Sequence, residues 1–536
     1  MRRTALARFA PALAAVALLL TGCTAGSGGG QDAERTATGT LSVPVVNAPW
    51  TVAKENRLPG TTSWKLSNPG PTDAIEGFAD QVSVLPGESF RLYVSTTAPS
   101  FRIEAFRMGW YGGKQGRLVW RSGTVPGRKQ AAPKRIPGIN EVYAPWSPTT
   151  TVPTAGWPQG DYLLKLVSAQ GHDRWVPITL RSPGTSGRTV FMNSVTTWAA
   201  YNKWGGGYNV YGGGYTGYKG AGDYNQRSRK ASFDRPYDKN GSYFNWYELP
   251  ALSLAEQLGI PLAYETDLEL STSPGLFQGA RSLFFAGHDE YWTSGMRDNT
   301  LRIRGAGTNI ALLSSNTAYR HIRLENSSVG RNRVVVVYKN AAEDPMTLTN
   351  PAEATQQWRL PPDPRPESSL TGVYYECNPV YGDFVVTDPH AWMFAGTGVK
   401  AGQHFPGLVN VETDRLTAGV PVPRPIQVVS QSPVTCQIPG APVKTHSNAA
   451  YYTVPSGAGV FATGTMGWSC SLGGATGCRG NSVKAKRVPA VSGDFARLVT
   501  ANVLRVFQQG PAGRVHPAVD NYRRYVSPPS RLTYTN

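Results

Sequence analysis

A β-sandwich followed by a doubly wound α/β domain is the fold class this chain predicts, and three observations carry it. Between about residues 40 and 182, short segments alternate polar and apolar residues and are divided by Gly and Pro turns, the pattern of half-buried antiparallel strands. From Arg188 onward, apolar runs alternate with helix-like segments, as in a parallel sheet joined by crossover helices. The composition agrees: 59 Gly and 42 Pro beside a charged fraction of 16% describe turns and strands, not a helical bundle. At 536 residues the chain is too long for one ordinary domain, which implies two or three.

The amino terminus reads as an address. Arg2, Arg3 and Arg8 precede an apolar run from Pro11 to Leu20, and Leu20-Thr21-Gly22-Cys23 follows. The run is too short for a stable membrane span, and the whole resembles a bacterial lipoprotein signal closing in a lipobox. That resemblance implies a signal peptide over 1–22, a lipidated Cys23, a Gly-rich tether over 23–40 and an extracytoplasmic location on the cell membrane. The net charge of +18 would suit nucleic acid, but a lipid-anchored exported protein rarely meets it. Attraction to anionic lipids or anionic cell-envelope polymers is the partner reading of that charge, beside the plainer one of a solvated surface.

The first domain spans 41–182. Strands are expected at Gln81–Leu85, after which Pro86-Gly87-Glu88 turns the chain, and at Ser89–Val94, Phe101–Phe106, Tyr162–Val167 and Trp175–Leu180. This argues for an immunoglobulin- or fibronectin-like sandwich, with Gly123–Gln159 as a long loop and Ser182–Gly187 as a linker. The α/β domain then begins, with its first part over 188–344. It contains strands at Thr189–Asn193, Pro261–Glu265, Ser282–Ala286 and Asn309–Ser314, and helices at Trp246–Leu258 and from about Thr293 to Arg304. Residues 345–445, rich in Pro and short apolar runs, read as a β-rich insertion. The α/β pattern resumes over 446–510, through Gly459–Gly464 and a Phe495–Phe507 helix, and 511–536 is a tail.

Beyond Cys23 four cysteines remain, and an exported protein oxidises them. Cys470 and Cys478, separated by a Gly-rich turn, are the first expected pair, and Cys377 with Cys436 the second, although four cysteines allow three pairings.

Chemistry is expected where the parallel strands end, because ligands of open α/β sheets sit outside the carboxyl edge. The first strand ends at Asn193-Ser194, with Trp198, Tyr201 and Asn202 shortly after, the second at Glu265-Thr266-Asp267, the third at His288-Asp289-Glu290-Tyr291 and the fourth at Ser314-Ser315-Asn316. None of the five cysteines lies at such an end, and there is no G-x-S-x-G elbow, so thiol and serine hydrolases are excluded. Acid–base or metal-assisted chemistry is left.

Five stretches sharpen this. Ala200-Tyr-Asn202 with Trp204-Gly-Gly206, Ser232-Phe-Asp-Arg-Pro-Tyr237, Tyr264-Glu-Thr-Asp267, Gly287-His-Asp-Glu-Tyr-Trp292 and Ser314-Ser-Asn316 together resemble the C-terminal domain of the N,N-dimethylformamidase large (beta) subunit family. Met108-Gly-Trp-Tyr-Gly112 resembles the domain that precedes it there. The resemblance implies a class I glutamine-amidotransferase-like α/β fold and a mononuclear iron centre held by two tyrosinates and a glutamate. By motif, Glu290 is the carboxylate ligand and His288 the neighbouring acid/base, with Tyr201 and Tyr237 as the phenolates. Tyr208, Tyr211 and Tyr215 compete with Tyr201. Trp204, Asp234, Asp267, Asp289, Tyr291 and Asn316 are expected to line the substrate pocket.

Two positions depart from the family pattern: Asp289 stands where Pro is expected, and Arg320-His321 replaces an aromatic residue. The implied reaction is hydrolysis of a C–N bond in a small amide, with ferric iron favoured by hard oxygen ligands. A companion subunit or oligomer is compatible with this. The competing function is a non-catalytic carbohydrate- or wall-binding lipoprotein, in which the Gly/Tyr-rich stretch Trp204–Tyr224 offers aromatic faces to a sugar. Structural roles compete at single residues too: Asp234-Arg235 as a local ion pair, Asp267 as a helix cap, Asn316 as a loop holder.

Overall fold

The four strands expected at the head of the α/β domain stand side by side in the computed structural model, which describes residues 50–214, 223–238, 243–438, 441–473 and 488–530. Cys23, the signal region and the tether lie outside these residues, as do Tyr215 and Cys478. In the central sheet, β1 (Thr189–Asn193), β2 (Leu262–Thr266), β3 (Ser282–Gly287), β4 (Asn309–Ser314), β5 (Ile426–Cys436), β6 (Val443–Thr453) and β7 (Gly459–Ala462) lie in the order β2-β1-β3-β4-β7-β6-β5. The first five in that order run parallel, and β6 and β5 extend the edge antiparallel. Every residue of β1 to β4 is buried, which is what strands covered on both faces require of their apolar runs.

Helices α1 (Val195–Tyr201), α2 (Leu249–Gln257), α3 (Asp267–Thr272), α4 (Ser294–Gly305) and α5 (Ala490–Gln509) pack around this sheet. Local chemistry sets their ends. Thr293 caps α4 by accepting from the Met296 amide, and Arg302 and Arg304 sit in its last turn against the negative end of its dipole. At α3, Thr266 and Glu269 form a reciprocal cap, so Asp267 is not the capping residue.

The preceding residues build two largely antiparallel sheets, with Ser83–Val84 as a parallel edge on Asp173–Leu180. One pairs Ile75–Ala79, Ser89–Thr96 and Thr150–Pro153; the other is built on Ser100–Met108, Gly160–Ser168 and Asp173–Leu180. Their facing apolar residues form one cluster, Leu92, Ile103, Leu164 and Leu166 among them. The expected long loop Gly123–Gln159 instead holds short strands at Val125–Pro126, Lys134–Ile136, Glu141–Tyr143 and Thr150–Pro153, because Trp146, Val142 and Val152 there are apolar and buried. The expected linker is not slack either: Ser182 exchanges hydrogen bonds with the Tyr264 backbone, and Thr185 donates to the Leu276 carbonyl at 2.6 Å.

The chain is thus mixed α/β, with many sheets and few helices. Within 345–445 a long hairpin, Tyr374–Val385 with His404–Arg415, packs against β5, β6 and α5, whereas β5 joins the central sheet. Cys377 and Cys436 are disulfide-bonded and tie that hairpin to β5. Cys470 is also disulfide-bonded, and its expected partner Cys478 lies outside the described residues. Among the described residues no helix is long and apolar enough to cross a membrane.

Candidate functional site

The strand order locates the crevice. From β1 the chain passes to β2 on one side, then returns to β3 on the other, so the carboxyl ends of β1 and β3 diverge at a switch point. Helix α1, carrying Tyr201 in its last turn, leaves from one lip, and His288–Glu290 leaves from the other.

Gly287 makes the exit from β3 possible. Its φ is +86°, and an added Cβ would lie 2.2 Å from Cβ of Tyr247. The backbone of Glu290 is then pinned from both sides. Its N–H donates to Thr197 Oγ1 at 3.1 Å, and its carbonyl accepts from the amides of Arg320 and Tyr319 at 2.8 and 3.1 Å.

The Glu290 carboxylate is 1% exposed and receives two phenols. Tyr201 donates to Oε2 at 2.8 Å; Tyr211 donates to Oε1 and Oε2 at 2.9 and 2.8 Å; the two phenol oxygens are 2.8 Å apart. Tyr291 donates to the Tyr211 oxygen at 2.8 Å. His288 Nε2 lies 2.9 Å from the Tyr201 oxygen and 3.2 Å from Glu290 Oε2, with Glu412 Oε1 3.9 Å away on its other side.

Charge shapes these groups. Burial alone would raise Glu290, but His288, then Lys339 and Arg320, outweigh it and hold the carboxyl at about 2. Burial, and next the Glu290 charge, push Tyr201 and Tyr211 well above the ordinary phenol value. Lys339 Nζ sits 3.1 Å from the Tyr211 ring centroid with no hydrogen-bond partner, and burial followed by Arg320 drives its ammonium far below the usual range. Lys339 also holds a left-handed φ of +64°, uncommon for a residue with a side chain. Arg320 Nε is 3.6 Å from Glu290 Oε1.

The structure brings Tyr201, His288, Glu290 and Tyr291 together and places the other expected residues elsewhere. Tyr237 is the main correction. Its ring packs edge-on to Trp198 at 6.3 Å and faces the sandwich beside Phe78 and Val82. The turn enforces this: Arg235 donates to the carbonyls of Asn202, Trp204 and Tyr208, and Asn202 donates to the Pro236 carbonyl. Tyr211 occupies the place on Glu290 expected of Tyr237.

Trp204 is no pocket wall; its indole donates to Glu76 at 2.7 Å and meets Trp146 edge-on, both in the sandwich. Asp234 pairs with Arg333 at 2.8 Å, not with Arg235. Asp267 accepts from the Thr196 amide at 3.0 Å, and Asp289, raised to about 7 by burial, lies beneath the site with neither oxygen hydrogen-bonded. Asn316 holds its loop through Asp414, at a φ of +58°. Glu412 and Lys339 were not anticipated. Glu412 lies on a hairpin strand 122 residues beyond Glu290, and neither residue sits in a motif.

The site is therefore a buried carboxylate–phenol–imidazole centre at the switch point of an α/β sheet. The N,N-dimethylformamidase beta subunit-like, C-terminal family matches residues 102–482, and the chain belongs to that family. No curated relative matches this chain. The crystal structure of a Paenibacillus sp. cycloisomaltooligosaccharide glucanotransferase complexed with cycloisomaltoheptaose is similar at 10% identity over 24% of this chain and 17% of that one, with a TM-score of 0.13, too low to bear on fold or function.

Proposed function

We propose that this chain is a metal-dependent hydrolase of a C–N bond in a small amide, anchored by lipid outside the cytoplasmic membrane, with ferric iron as its metal. Its two layers correspond, in this reading, to an immunoglobulin-like sandwich and a glutamine-amidotransferase-like domain. The observation that carries the proposal is the triangle of Tyr201, Tyr211 and Glu290 oxygens, each 2.8 Å from the others.

The donor set fits a small, hard cation. Adjacent oxygens of an octahedron with bonds of ~2.0–2.1 Å lie about 2.9 Å apart. Among the described residues no group of three or more His, Cys, Asp and Glu is placed to hold a metal, so this set depends on tyrosine. Two buried phenols beside a carboxylate lose their protons only to a strong cation, which the raised tyrosine pKa values make explicit. Tyr201, Tyr211 and Glu290 would hold the ion, which when bound supplies Lewis acidity to the amide carbonyl and acidity to a water.

The protein's own groups do the rest. Thr197 and the Arg320 backbone fix Glu290, so the oxygen triangle is preorganised. His288 Nε2, within 3.2 Å of the Tyr201 and Glu290 oxygens, is placed to take a proton from water and return it to the leaving amine. Glu412 stands behind the same nitrogen.

Metal analysis and visible spectroscopy of purified protein test this. Wild type is expected to carry about one iron per chain with a phenolate-to-iron absorption band, and Glu290→Ala and Tyr211→Phe to lose both. Amide hydrolysis by iron-free wild-type protein would sink the metal assignment.

A further inference from the structure

We propose that Arg320 is a specificity residue that receives a carboxylate carried by the amide substrate. The proposal rests on the hydrolase reading above and narrows it to amides of the N-acyl amino acid type. In their hydrolysis water adds to the acyl carbon, the C–N bond breaks and the amine takes the proton, while the substrate's pre-existing carboxylate is unchanged.

The backbone commits Arg320 to this place. The Arg320–His321 strand pairs with Tyr291–Trp292, immediately after Glu290, and Arg320 also bridges Gln357. The residue is 8% exposed, and a guanidinium does not discard its charge. Yet Nε and Nη1 have no hydrogen-bond partner within the protein. Arg320 forms an ion pair with Glu290 at 3.6 Å, too long for a hydrogen bond, and the Glu290 oxygens already serve Tyr201 and Tyr211. The other carboxylate nearby does not help: Arg359, on the same Tyr319 ring as Arg320, takes Glu367.

Lys339 Nζ, on the face of Tyr211, is a second buried donor with no hydrogen bond. Other buried arginines here are held by the protein: Arg107 by Glu256, Arg333 by Asp234, Arg235 by five carbonyls, and Arg297, whose Nε and Nη1 also lack hydrogen bonds, through Nη2 by the Pro366 carbonyl and Ser369. Arg320 differs from them in facing the candidate site. A carboxylate is the small anion that fits both a guanidinium and a pocket built for amides.

The test compares iron-loaded wild type, Arg320→Gln and Arg320→Lys on N-formylglycine and on its neutral counterpart N-ethylformamide, with binding of N-formylglycine followed by calorimetry and folding by thermal melts. Wild type should favour N-formylglycine in kcat/KM by roughly 10- to 100-fold, mostly through KM. Arg320→Gln should bring that ratio near one and weaken binding in parallel, with Arg320→Lys in between. Equal use of both amides by wild type, or a preference that survives in Arg320→Gln, overturns the proposal and leaves the hydrolase reading standing. Arg320-dependent binding without hydrolysis of either amide sinks the hydrolase reading and supports the anion site. Neither binding nor turnover sinks both.

Discussion

Two buried ionic clusters in this molecule use the same ingredients and finish them differently. Where the sandwich meets the α/β domain, Arg107 on the Ser100–Met108 strand donates to Glu256 of α2 at 2.7 Å, to Tyr264 of β2 at 2.8 Å, to Tyr111 at 2.9 Å and to the Gln159 carbonyl. Glu256 in turn accepts from Asn56 and Tyr264. At the sheet edge, Glu290 likewise gathers two phenols and lies near Arg320, but Arg320 Nε, Lys339 Nζ, His288 Nδ1 and Glu412 Oε2 are left without hydrogen-bond partners in the protein. A closed network holds layers together. An open one, whose desolvation the fold tolerates, is built for something else to complete.

That contrast can be broken by mutation. The largest effect is expected at Arg107→Ala, which strands Glu256 in the interior and should cost about 3–5 kcal/mol in denaturant unfolding; a near-neutral result would mean the interface cluster is not closed. Next comes Asp161, a buried carboxyl between Thr179 and Asn193, which burial raises to about 7. Because the folded value lies above the unfolded one, its contribution is complete below pH ~4 and is lost as pH rises towards 7. Asp161→Asn should therefore flatten the stability–pH curve across that window, by up to about 1.4 kcal/mol per pH unit.

Lys339→Met sharpens the comparison from the other side. Removing an amine with no hydrogen-bond partner should leave stability unchanged or raise it by about 1–2 kcal/mol while lowering amide turnover. A loss of stability as large as that at Arg107 would show the two clusters to be alike. The smallest effect is expected at Tyr237→Phe, which should change stability by less than about 0.5 kcal/mol and, if the proposed iron site holds, leave its iron content unchanged, whereas Tyr211→Phe should lower it.

Much of this was legible in the residues themselves. Leu283–Ala286 announced a strand buried on both faces, and the polar run after Gly287 announced the edge where it ends. Short strands inside 123–159 were hidden because two or three residues carry no period. The apolar run Val334–Val336 gave no sign that its neighbour is Lys230–Ser232 and not the central sheet. Tyrosines were harder still: choosing Tyr211 over Tyr237 depends on how Arg235 folds the intervening chain onto its carbonyls. Glu412 reaches the site only because the long hairpin packs beside it, a tertiary event with no local signal.

That hairpin has a bearing on how the protein must be made. Its Tyr374–Val385 strand is paired with the strand bearing Glu412, and Cys377 fastens it to Cys436, 59 residues on. Closing a loop of that length removes roughly 4 kcal/mol of freedom from the unfolded chain. A preparation from a reducing cytoplasm lacks this clasp. The strand paired with the one bearing Glu412 then loses its tie to β5, and weak turnover from such material speaks of the expression host before it speaks against the proposed hydrolase.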